Sequence, residues 1–406
     1  MTEWRKVKLG DICETQYGYT ASAETVDTGT KFLRITDIVP DTIDWDSVPF
    51  CKISNEERKK YILRKGDIVV ARTGATVGYA KYIKNDVESV FASYLVRFKV
   101  IDNLADKEYV GLCVTSKTFK DYILSIANGS AQPNANSQMM SSFEIALPPI
   151  DIQHRIAEVL SRYDALIENY QRQIKLLEEA AQRLYKEWFV DLRFPGHQST
   201  PIINNLPQSW QKKKLGEITC KFATGLNPRK NFVLGQGDNY YVTIKNMADN
   251  DVIFDDKCDK VDDEALEKIN KRSDLQQGDL LFSGIGTIGR VYLIDEPVVN
   301  WNISESVFTM RPVKEISPVF LYLMLLNKDI QDYCQSNAHG CAQKGIRMAD
   351  LKAYETIIPD KETLESFVTI ASKFINRSKS LRKQIRNLSE ARDRLLPKLM
   401  SAEIEV

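Results

Sequence analysis

A glycine-rich stretch in the second half of the chain has the spacing of a phosphate-binding loop. Gly284, Gly286 and Gly289 follow an apolar run that predicts a strand, and GxGxxG spacing can hold a dinucleotide or S-adenosylmethionine. Such a loop needs a helix directly after it, because the free N–H groups of the first turn face the anion. The residues that follow, RVYLI, are β-branched and aromatic and predict a second strand. We therefore interpret the glycines as a hairpin turn, where they allow a positive φ.

Other residues that could do chemistry are scattered. The three histidines and seven cysteines form neither an HExxH nor a Cys-x-x-Cys spacing, so we expect no metal site. No Asn-Pro-Pro-Tyr or Asp-Pro-Pro-Tyr motif of a methyltransferase occurs. The N-terminus has no apolar signal-peptide core, and the longest apolar run, 319–326, has eight residues against the ~20 of a membrane span. These features predict a cytoplasmic protein with reduced thiols and no membrane contact.

The elements around the glycine-rich stretch occur twice in the chain. The matching segments are 4–12 with 210–218, 63–83 with 275–294, and 128–140 with 339–351. The first copy of the stretch, Gly74 to Gly78, keeps the outer glycines but lacks the GxGxxG spacing, which supports the hairpin interpretation. A duplicated sequence predicts two globular domains with one fold.

A heptad pattern of apolar residues follows each copy and predicts a long helix. The positions are Ile156, Leu160, Tyr163, Ile167, Tyr170, Ile174, Leu177, Ala181, Leu184 and Trp188, and then Phe367, Ala371, Phe374, Ser378, Leu381, Ile385, Leu388, Arg392, Leu395 and Leu399. Ser378 and Arg392 interrupt the second pattern and Pro397 lies near its end, so we expect that helix to end early or to pack less regularly. If a two-fold axis relates the copies, the helices run antiparallel. The alternative is that each helix packs on its own domain.

These patterns predict an α/β (α+β) protein with two pseudo-symmetric globular domains separated by an antiparallel coiled coil of two long helices. We expect a first globular domain at 1–148, a first long helix at 149–191, a linker at 192–209, a second globular domain at 210–358 and a second long helix at 359–406. The linker contains three prolines, which predict an extended segment.

The loops between matched segments differ sharply, as expected for one fold with two specificities. The segment ETQYGYTASAETVDTGT at 14–30 stands opposite KFATGLNPRKNFVLGQGDN at 221–239. The net charge is zero, with 55 basic and 55 acidic residues, whereas a protein that binds nucleic acid alone is usually basic. Basic residues nevertheless cluster beside polar and aromatic loop residues, and such groups can contact phosphates and base edges.

Five segments together resemble the specificity subunit of type I restriction–modification systems. They are W-x-x-x-x-LGDI, GDIVVARTGATVG, GSAQPN, ALPPIDIQHRIAEVLSRYDALIENYQRQIKLL and LYKEWFVDLRFPG…LPQSW, and the resemblance extends over nearly the whole chain. It implies a non-catalytic DNA-recognition subunit of a methyltransferase and endonuclease complex that serves in host defence. Each globular domain would be a target-recognition domain that reads one half of a bipartite, asymmetric site in double-stranded DNA.

The resemblance also implies partners and cofactors. The helices would set the half-site spacing and dock two methyltransferase subunits, and restriction subunits would join through the methyltransferase core. S-adenosylmethionine is expected on the methyltransferase subunits and ATP on the restriction subunits, with neither on this chain. A neutral chain suits this arrangement, because partner subunits can supply much of the phosphate contact.

Candidate contacts to DNA lie mainly in the divergent loops and beside the repeated motifs. They are Tyr19, Lys31, Arg34, Arg72, Thr73, Gln132 and Asn134 in the first copy, and Arg229, Lys230, Lys245, Gln343 and Lys344 in the second. Trp188 and Phe189 at the end of the first long helix either cap the coiled coil on a globular domain or bind a methyltransferase subunit.

Two other functions remain open on the sequence. One is a coiled-coil scaffold that binds only protein. The other is a nucleotide-dependent methyltransferase or hydrolase built around residues 284–289. The absence of catalytic motifs counts against the enzyme, and the duplicated but divergent loops favour recognition over scaffolding.

Overall fold

The computed structural model describes residues 4–40, 42–127, 133–248, 250–340, 343–401 and 403–404. Its contacts divide the chain into two compact units. The first unit comprises Met1–Gln171 with Lys383–Val406, and the second comprises Arg172–Arg382. Both mix helices with strands, which confirms the predicted α/β (α+β) class.

A four-stranded antiparallel sheet of the same strand order lies in each unit. In the first unit the order is Cys13–Tyr17, Leu95–Val100, Ile68–Ala71, Ala80–Tyr82. In the second unit it is Thr219–Thr224, Val307–Pro312, Leu280–Ser283, Val291–Leu293. The shared order confirms that the sequence repeat encodes one topology twice.

Smaller sheets repeat as well. Two parallel strands, Lys31–Leu33 and Ser89–Phe91, correspond to Asn239–Val242 and Trp301–Ile303 in the second unit, where Asp259–Val261 adds an antiparallel edge. An antiparallel pair joins the first strand of each sequence copy to its last strand: Arg5–Lys8 with Glu144–Leu147, and Gln211–Lys214 with Glu355–Ile358. The hairpin of Met247–Ala248 and Asp251–Val252 belongs to the second unit.

The helices of the first unit, besides the long ones, are Leu9–Ile12, Ile35–Ile38, Asn55–Tyr61, Lys107–Thr115, Lys117–Ala127 and Ser137–Ser141. Those of the second are Asp263–Ser273, Pro318–Leu326, Lys328–Ser336 and Met348–Lys352. Short 3-10 turns form at Gly74–Thr76, His197–Ser199, Leu215–Glu217 and Ile244–Asn246.

The sequence predicts one helix at 106–127 and a matching one at 317–335, but in the structure each of these spans contains two helices. The breaks fall at Ser116 and Asn327, both in extended backbone conformation. Each side chain then accepts a hydrogen bond from the next helix: Ser116 Oγ from the Phe119 N–H at 3.2 Å, and Asn327 Oδ1 from the Asp329 N–H at 2.9 Å. A side-chain cap therefore starts a second helix at the same place in both units.

Each unit has its own apolar core. Ile68, Phe98, Tyr109 and Phe119 are fully buried in the first unit. Leu280, Phe282, Phe320 and Phe367 are fully buried in the second. In both cores the central strands of the four-stranded sheet pack against the paired helices that follow it.

The two long helices, Ile150–Tyr185 and Lys361–Met400, pair within each unit. In the second unit Glu178 accepts hydrogen bonds from Arg382 at 2.6 Å and Ser378 at 3.3 Å. In the first unit Asp164 accepts one from Arg392 at 2.7 Å. In the second unit the Tyr185 ring, seven residues after Glu178, lies 6.2 Å from the Phe367 ring, eleven residues before Ser378. In the first unit Ile156, eight residues before Asp164, shares a buried cluster with Leu399, seven residues after Arg392. The pairing is therefore antiparallel in both units, as predicted.

The second long helix corrects one expectation. It does not end early, because it continues past Pro397 to Met400. Leu399 is buried in the same apolar cluster as Ile156 of the first helix, and Leu395 packs against that cluster. Proline lacks a backbone N–H, but so close to the helix end it removes one hydrogen bond without ending the helix.

The linker at 192–209 is also not extended as predicted. Phe194 is buried against Trp210, with ring centroids 4.6 Å apart. Strands Ile202–Ile203 and Leu206–Pro207 form a hairpin whose turn residues, Asn204 and Asn205, both have positive φ. Two asparagines tolerate the left-handed backbone of such a turn, so the segment folds locally between its prolines.

Replacing either capping residue by alanine should cost about 1 kcal/mol of the free energy of unfolding. Asn327→Ala and Ser116→Ala each remove the side-chain acceptor that starts a helix. Urea denaturation, followed by circular dichroism, measures the loss. Asn327→Ser is the matched control, because it keeps an acceptor and should lie near the wild type. Equal losses in the serine and alanine variants would show that the cap does not act as described.

Candidate nucleic-acid interface

Two of the repeated motifs meet in each unit, although about 60 residues separate them in sequence. In the first unit the Gly74 N–H donates to the Pro133 carbonyl at 2.9 Å, and the Ala135 N–H to the Arg72 carbonyl at 2.9 Å. In the second unit the Gly286 N–H donates to the Lys344 carbonyl at 2.7 Å, and the Ile346 N–H to the Gly284 carbonyl at 2.9 Å. The glycine-rich turn is thus held against the same loop twice.

We call these two places the turn–loop sites. The first comprises residues 72–78 with 133–137. The second comprises residues 284–289 with 339–340 and 343–346.

The glycines of the turns confirm the hairpin prediction. Gly74, Gly78, Gly286 and Gly289 have φ between +74° and +99°, which glycine adopts without strain. Gly284 has a different role: a Cβ there would lie 2.4 Å from the Phe308 ring. Strand Val291–Leu293 follows the turn, whereas a phosphate-binding loop leads into a helix N-terminus.

A second turn, at 92–94 in the first unit and at 304–306 in the second, lies beside each turn–loop site. It packs closely against a glycine that the sequence analysis missed. A Cβ on Gly18 would lie 2.2 Å from the Ala92 carbonyl oxygen, and one on Gly225 only 1.6 Å from that of Ile303. These glycines stand in segments that we treated as divergent. The signal was present, because YGY and TGL align at nearly the offset that relates Trp4 to Trp210.

This second turn is bonded to the same elements in both units. In the first unit the Ala92 N–H donates to Leu33 at 2.9 Å, and the Tyr94 carbonyl accepts from Arg72 at 3.0 Å. In the second unit the Ser304 N–H donates to Val242 at 2.8 Å, and the Ser306 carbonyl accepts from Gly284 at 3.0 Å. The backbone framework of the two sites is therefore the same.

The first site gathers cationic, aromatic and amide side chains. The Arg72 guanidinium lies over the Tyr17 ring, 4.8 Å from its centroid. The Tyr17 hydroxyl accepts from the Ser137 N–H at 3.0 Å, and these contacts with Ser137 lower the pKa of Tyr17. Thr73 pairs through its backbone with Asn134, whose side chain is exposed. Arg72, Thr73 and Asn134 were predicted from the sequence; Tyr17 was not.

Another residue that the sequence analysis missed is Tyr94. It is 61% exposed in the turn whose carbonyl holds Arg72. An exposed aromatic ring beside a cation suits a surface that contacts bases. The hydrogen bond from the Arg72 N–H to the Tyr94 carbonyl forms where two strands pair. The sequence alone does not show which strands pair. The predicted Gln132 lies outside the described residues.

Three predicted residues of the first unit are engaged within the protein. The Tyr19 hydroxyl donates to Glu57 at 3.2 Å. The Lys31 ammonium donates to the carbonyls of Trp45 and Val48. Arg34 is paired with Asp37 at 2.8 Å, and this hydrogen bond raises the pKa of Arg34. Their predicted contact with DNA stays a prediction.

In the second unit the predicted residues are exposed. Gln343 and Lys344 lie in the loop of the turn–loop site, and Lys245 lies in the turn Ile244–Asn246. That turn is joined to the hairpin by Arg290, which donates to the Ile244 carbonyl at 2.9 Å. Arg229 and Lys230 are exposed in a turn after strand Thr219–Thr224, and no contact described here joins them to the site.

The two sites differ in where their cations stand. Arg72 occupies the turn in the first unit, and its counterpart in the second is Gly284. Pro133 occupies the loop in the first unit, and its counterpart is Lys344. The same backbone therefore presents a cation from the turn in one unit and from the loop in the other.

Trp188 and Phe189, predicted as a possible partner contact, lie in the core of the second unit. They are 6% and 3% exposed. Phe189 packs on Phe367 and Phe320, with ring centroids 4.7 and 5.1 Å apart, and Trp188 packs on Phe367 at 5.7 Å. Packing inside the unit accounts for both rings, which favours the capping interpretation over partner binding.

Alanine at either close-approach glycine should weaken folding by roughly 1–3 kcal/mol or more, because the added Cβ forces the backbone apart. The variants are Gly18→Ala and Gly225→Ala, measured by urea denaturation. Gly29→Ala and Gly235→Ala are matched controls. They have positive φ with no atom within 4 Å of an added Cβ, so they report backbone strain alone. Losses no larger than those of the controls would contradict the close approach.

Within the described residues, no helix combines the length and apolar character of a membrane span. The same residues contain no grouping of histidine, cysteine and acidic side chains that could hold a metal ion.

Comparison with known proteins gives a consistent set of relatives. The family model of the type I restriction modification DNA specificity domain matches residues 1–179 and again residues 207–390. The MjaIX specificity subunit of a type I restriction enzyme from Methanocaldococcus jannaschii is 26% identical over 85% of this chain and 79% of its own length. The HindI specificity subunit from Haemophilus influenzae is 22% identical over the whole of both chains.

A solved structure supports the fold. The crystal structure of a type I restriction–modification S subunit from M. genitalium superposes with a TM-score of 0.56 at 17% identity, covering 98% of this chain and 96% of the other. Because the family model matches twice and spans most of the chain, this protein belongs to the type I restriction–modification specificity subunits, which recognise DNA and are not themselves catalytic.

Proposed function

We propose that each unit reads one half of a bipartite, asymmetric site in double-stranded DNA, and that the two turn–loop sites provide the specificity. The observation that carries this proposal is the pair of matched frameworks with different side chains. One hydrogen-bonded backbone is used twice, while its cation moves from Arg72 to Lys344. Two readers of identical fold and different chemistry suit a site whose halves differ.

The side chains at the sites have the chemistry of base recognition. An arginine side chain can donate two hydrogen bonds to the O6 and N7 atoms of guanine, and asparagine or glutamine can pair with adenine. The Arg72 guanidinium lies over the Tyr17 ring, and the Arg72 backbone is hydrogen-bonded at both its N–H and its carbonyl. A side chain oriented in this way loses little freedom on binding. Lys344 with Gln343 offers a different pattern in the second unit.

The long helices have the proposed task of setting the distance between half-sites and docking two methyltransferase subunits, through which restriction subunits join. The proposed half-site separation is about one turn of DNA, ~34–36 Å, as in other two-fold readers. On this proposal the target-recognition domains are residues 1–148 and 210–358. S-adenosylmethionine and ATP bind to the partner subunits, which share the cytoplasm with this chain.

The neutral charge supports division of the phosphate contacts among subunits. With 55 basic and 55 acidic residues, this chain has no excess of cations to neutralise a phosphate backbone. Non-specific affinity for DNA comes mainly from such neutralisation. The partners are therefore proposed to provide most of the salt-dependent affinity, and this chain most of the sequence preference.

Two other functions are less well supported. A methyltransferase built on residues 284–289 lacks the helix that a nucleotide-binding loop needs, because strand Val291–Leu293 follows. A scaffold that binds only protein gives no reason for two matched sites with unlike exposed side chains.

Loss of this gene should remove one bipartite motif from the methylated sequences of the genome. Methylation mapping of DNA from cells with and without the gene measures this, and a plasmid copy should restore the motif. Persistence of every methylated motif in the deletion strain would contradict the proposed function.

Variants of the two sites should act on different half-sites. In the complex with methyltransferase subunits, Arg72→Ala should weaken binding to the cognate duplex about 10- to 100-fold and relax base preference in one half only. Lys344→Ala should act on the other half. Fluorescence anisotropy with duplexes substituted at each position measures both effects.

The control for these variants is Lys271→Ala, which removes an exposed cation paired with Glu267 on helix Asp263–Ser273, away from both turn–loop sites and from the long helices. It should leave affinity and base preference unchanged. If Arg72→Ala and Lys344→Ala alter the same half-site, or neither alters any, the assignment of the sites is wrong.

A further inference from the structure

The polar interruptions of the helix seam form ion pairs at defined places. In the first unit Asp164 and Arg392 are 24% and 33% exposed, and their charged atoms are 2.7 Å apart. In the second unit Glu178 and Arg382 are 27% and 16% exposed, with charged atoms 2.6 Å apart. Ser378, only 3% exposed, donates to the same carboxylate. Both acids belong to the first helix and both arginines to the second.

The duplication shows what stands at the equivalent positions. Under the offset of 211 residues that relates the two heptad patterns, the counterpart of Asp164 is Ile375, and the counterpart of Arg392 is Ala181. Ile375 and Ala181 are 4% and 0% exposed in the core of the second unit. The ion pair of one unit is therefore replaced by apolar packing in the other.

The second ion pair is also not repeated. The counterpart of Glu178 is Ser389, that of Arg382 is Gln171, and that of Ser378 is Ile167. None of these three carries a charge. The two long helices thus share an apolar pattern, but in these ion pairs the first helix supplies the acidic residues and the second helix supplies the arginines.

This asymmetry matters when one considers a second copy of the chain. Because the apolar heptads are alike, two first helices or two second helices could pair in the same antiparallel register. In a pair of first helices, each Asp164 would face Ala181 of the other copy, and each Glu178 would face Ile167 and Gln171. In a pair of second helices, each Arg392 would face an isoleucine instead of an acid.

Such like pairs would leave Asp164, Glu178 and Arg382 without the partner described here, and Arg392 with only Asp393 of its own helix. A half-buried charge that loses its partner destabilises far more than the intact pair stabilises. A single polar position in a coiled coil is known to select partner and register at a cost in stability. The seam therefore favours a partner helix with arginines opposite Asp164 and Glu178, and disfavours an identical helix.

We propose that the contacts Asp164–Arg392 and Glu178–Arg382 restrict helix pairing to one helix of each kind, and so exclude like-with-like association with a second copy of this chain. This inference does not depend on the proposed DNA site. Its consequence is that a second copy of the chain is accepted only through pairing of unlike helices, for which the second helix of the same chain is the nearest partner.

The test makes the seam symmetric in the full-length chain. Each residue is replaced by its own counterpart: Asp164→Ile, Glu178→Ser, Ser378→Ile, Arg382→Gln and Arg392→Ala. Analytical ultracentrifugation should show a dimer whose fraction increases with protein concentration, at concentrations where the wild type is a monomer. A matched control exchanges the charges (Asp164→Arg, Glu178→Arg, Arg382→Glu and Arg392→Asp) and should remain a monomer. A symmetric-seam chain that stays as monomeric as the wild type would overturn the proposal.

A second pair of variants covers the case in which the symmetric chain does not fold. One chain carries Asp164→Arg with Glu178→Arg, so that both helices are basic. The other carries Arg382→Glu with Arg392→Asp, so that both are acidic. Each alone should melt at least ~5 °C below the wild type, and a one-to-one mixture should form a heterodimer with recovered melting temperature. If each chain alone melts with the wild type and the mixture contains no heterodimer, the ion pairs do not select the partner.

Discussion

The backbone hydrogen bonds between the glycine-rich turn and the later loop are the constraint on which the proposed recognition surface depends. They tie Gly74 to Pro133 and Gly286 to Lys344, and so bring together two segments that would otherwise be separate surface loops. Backbone bonds do not depend on which side chains are present. The same framework can therefore carry Arg72 in one unit and Lys344 in the other without loss of geometry.

Two glycines constrain the backbone beside the sites in a similar way. Gly18 and Gly225 leave no room for a Cβ against the neighbouring carbonyls, so the turn at 92–94 and its counterpart at 304–306 lie directly beside the sites. The loops between these contacts differ between the two copies of the sequence. Under the proposed function, this is how one fold would acquire two specificities: the backbone supplies the constraint, and the side chains at the sites supply the chemistry.

Much of this architecture could be predicted from the sequence, because duplication and heptad periodicity are local signals. The matched strands, the hairpin at Gly286 and the antiparallel helices all follow from repeated residues at fixed spacing. The breaks at Ser116 and Asn327 were missed, because a single capping side chain decides them. The hairpin around Asn204 was missed because prolines suggested an extended linker. Tyr17 was missed because its partner, Ser137, is 120 residues away.

The polar interruptions of the second heptad pattern have a structural role in the seam between the long helices. Ser378 and Arg392 looked like defects of the second heptad series, but both contact carboxylates of the first helix. A perfectly apolar seam would be more symmetric and less selective. The polar positions thus make the two helices unlike partners, just as, under the proposed function, the side chains at the two sites would make them unlike readers.

The central claim is that one framework, used twice, contacts two different half-sites. Photo-cross-linking of the assembled complex to its cognate duplex tests this most directly, with a photoreactive base placed in turn at each position and the cross-linked peptides identified by mass spectrometry. We expect residues 72–78 and 133–137 to cross-link to one half-site only, and residues 284–289 and 343–346 to the other. Cross-links from both sites to the same half, or from neither, would contradict the account.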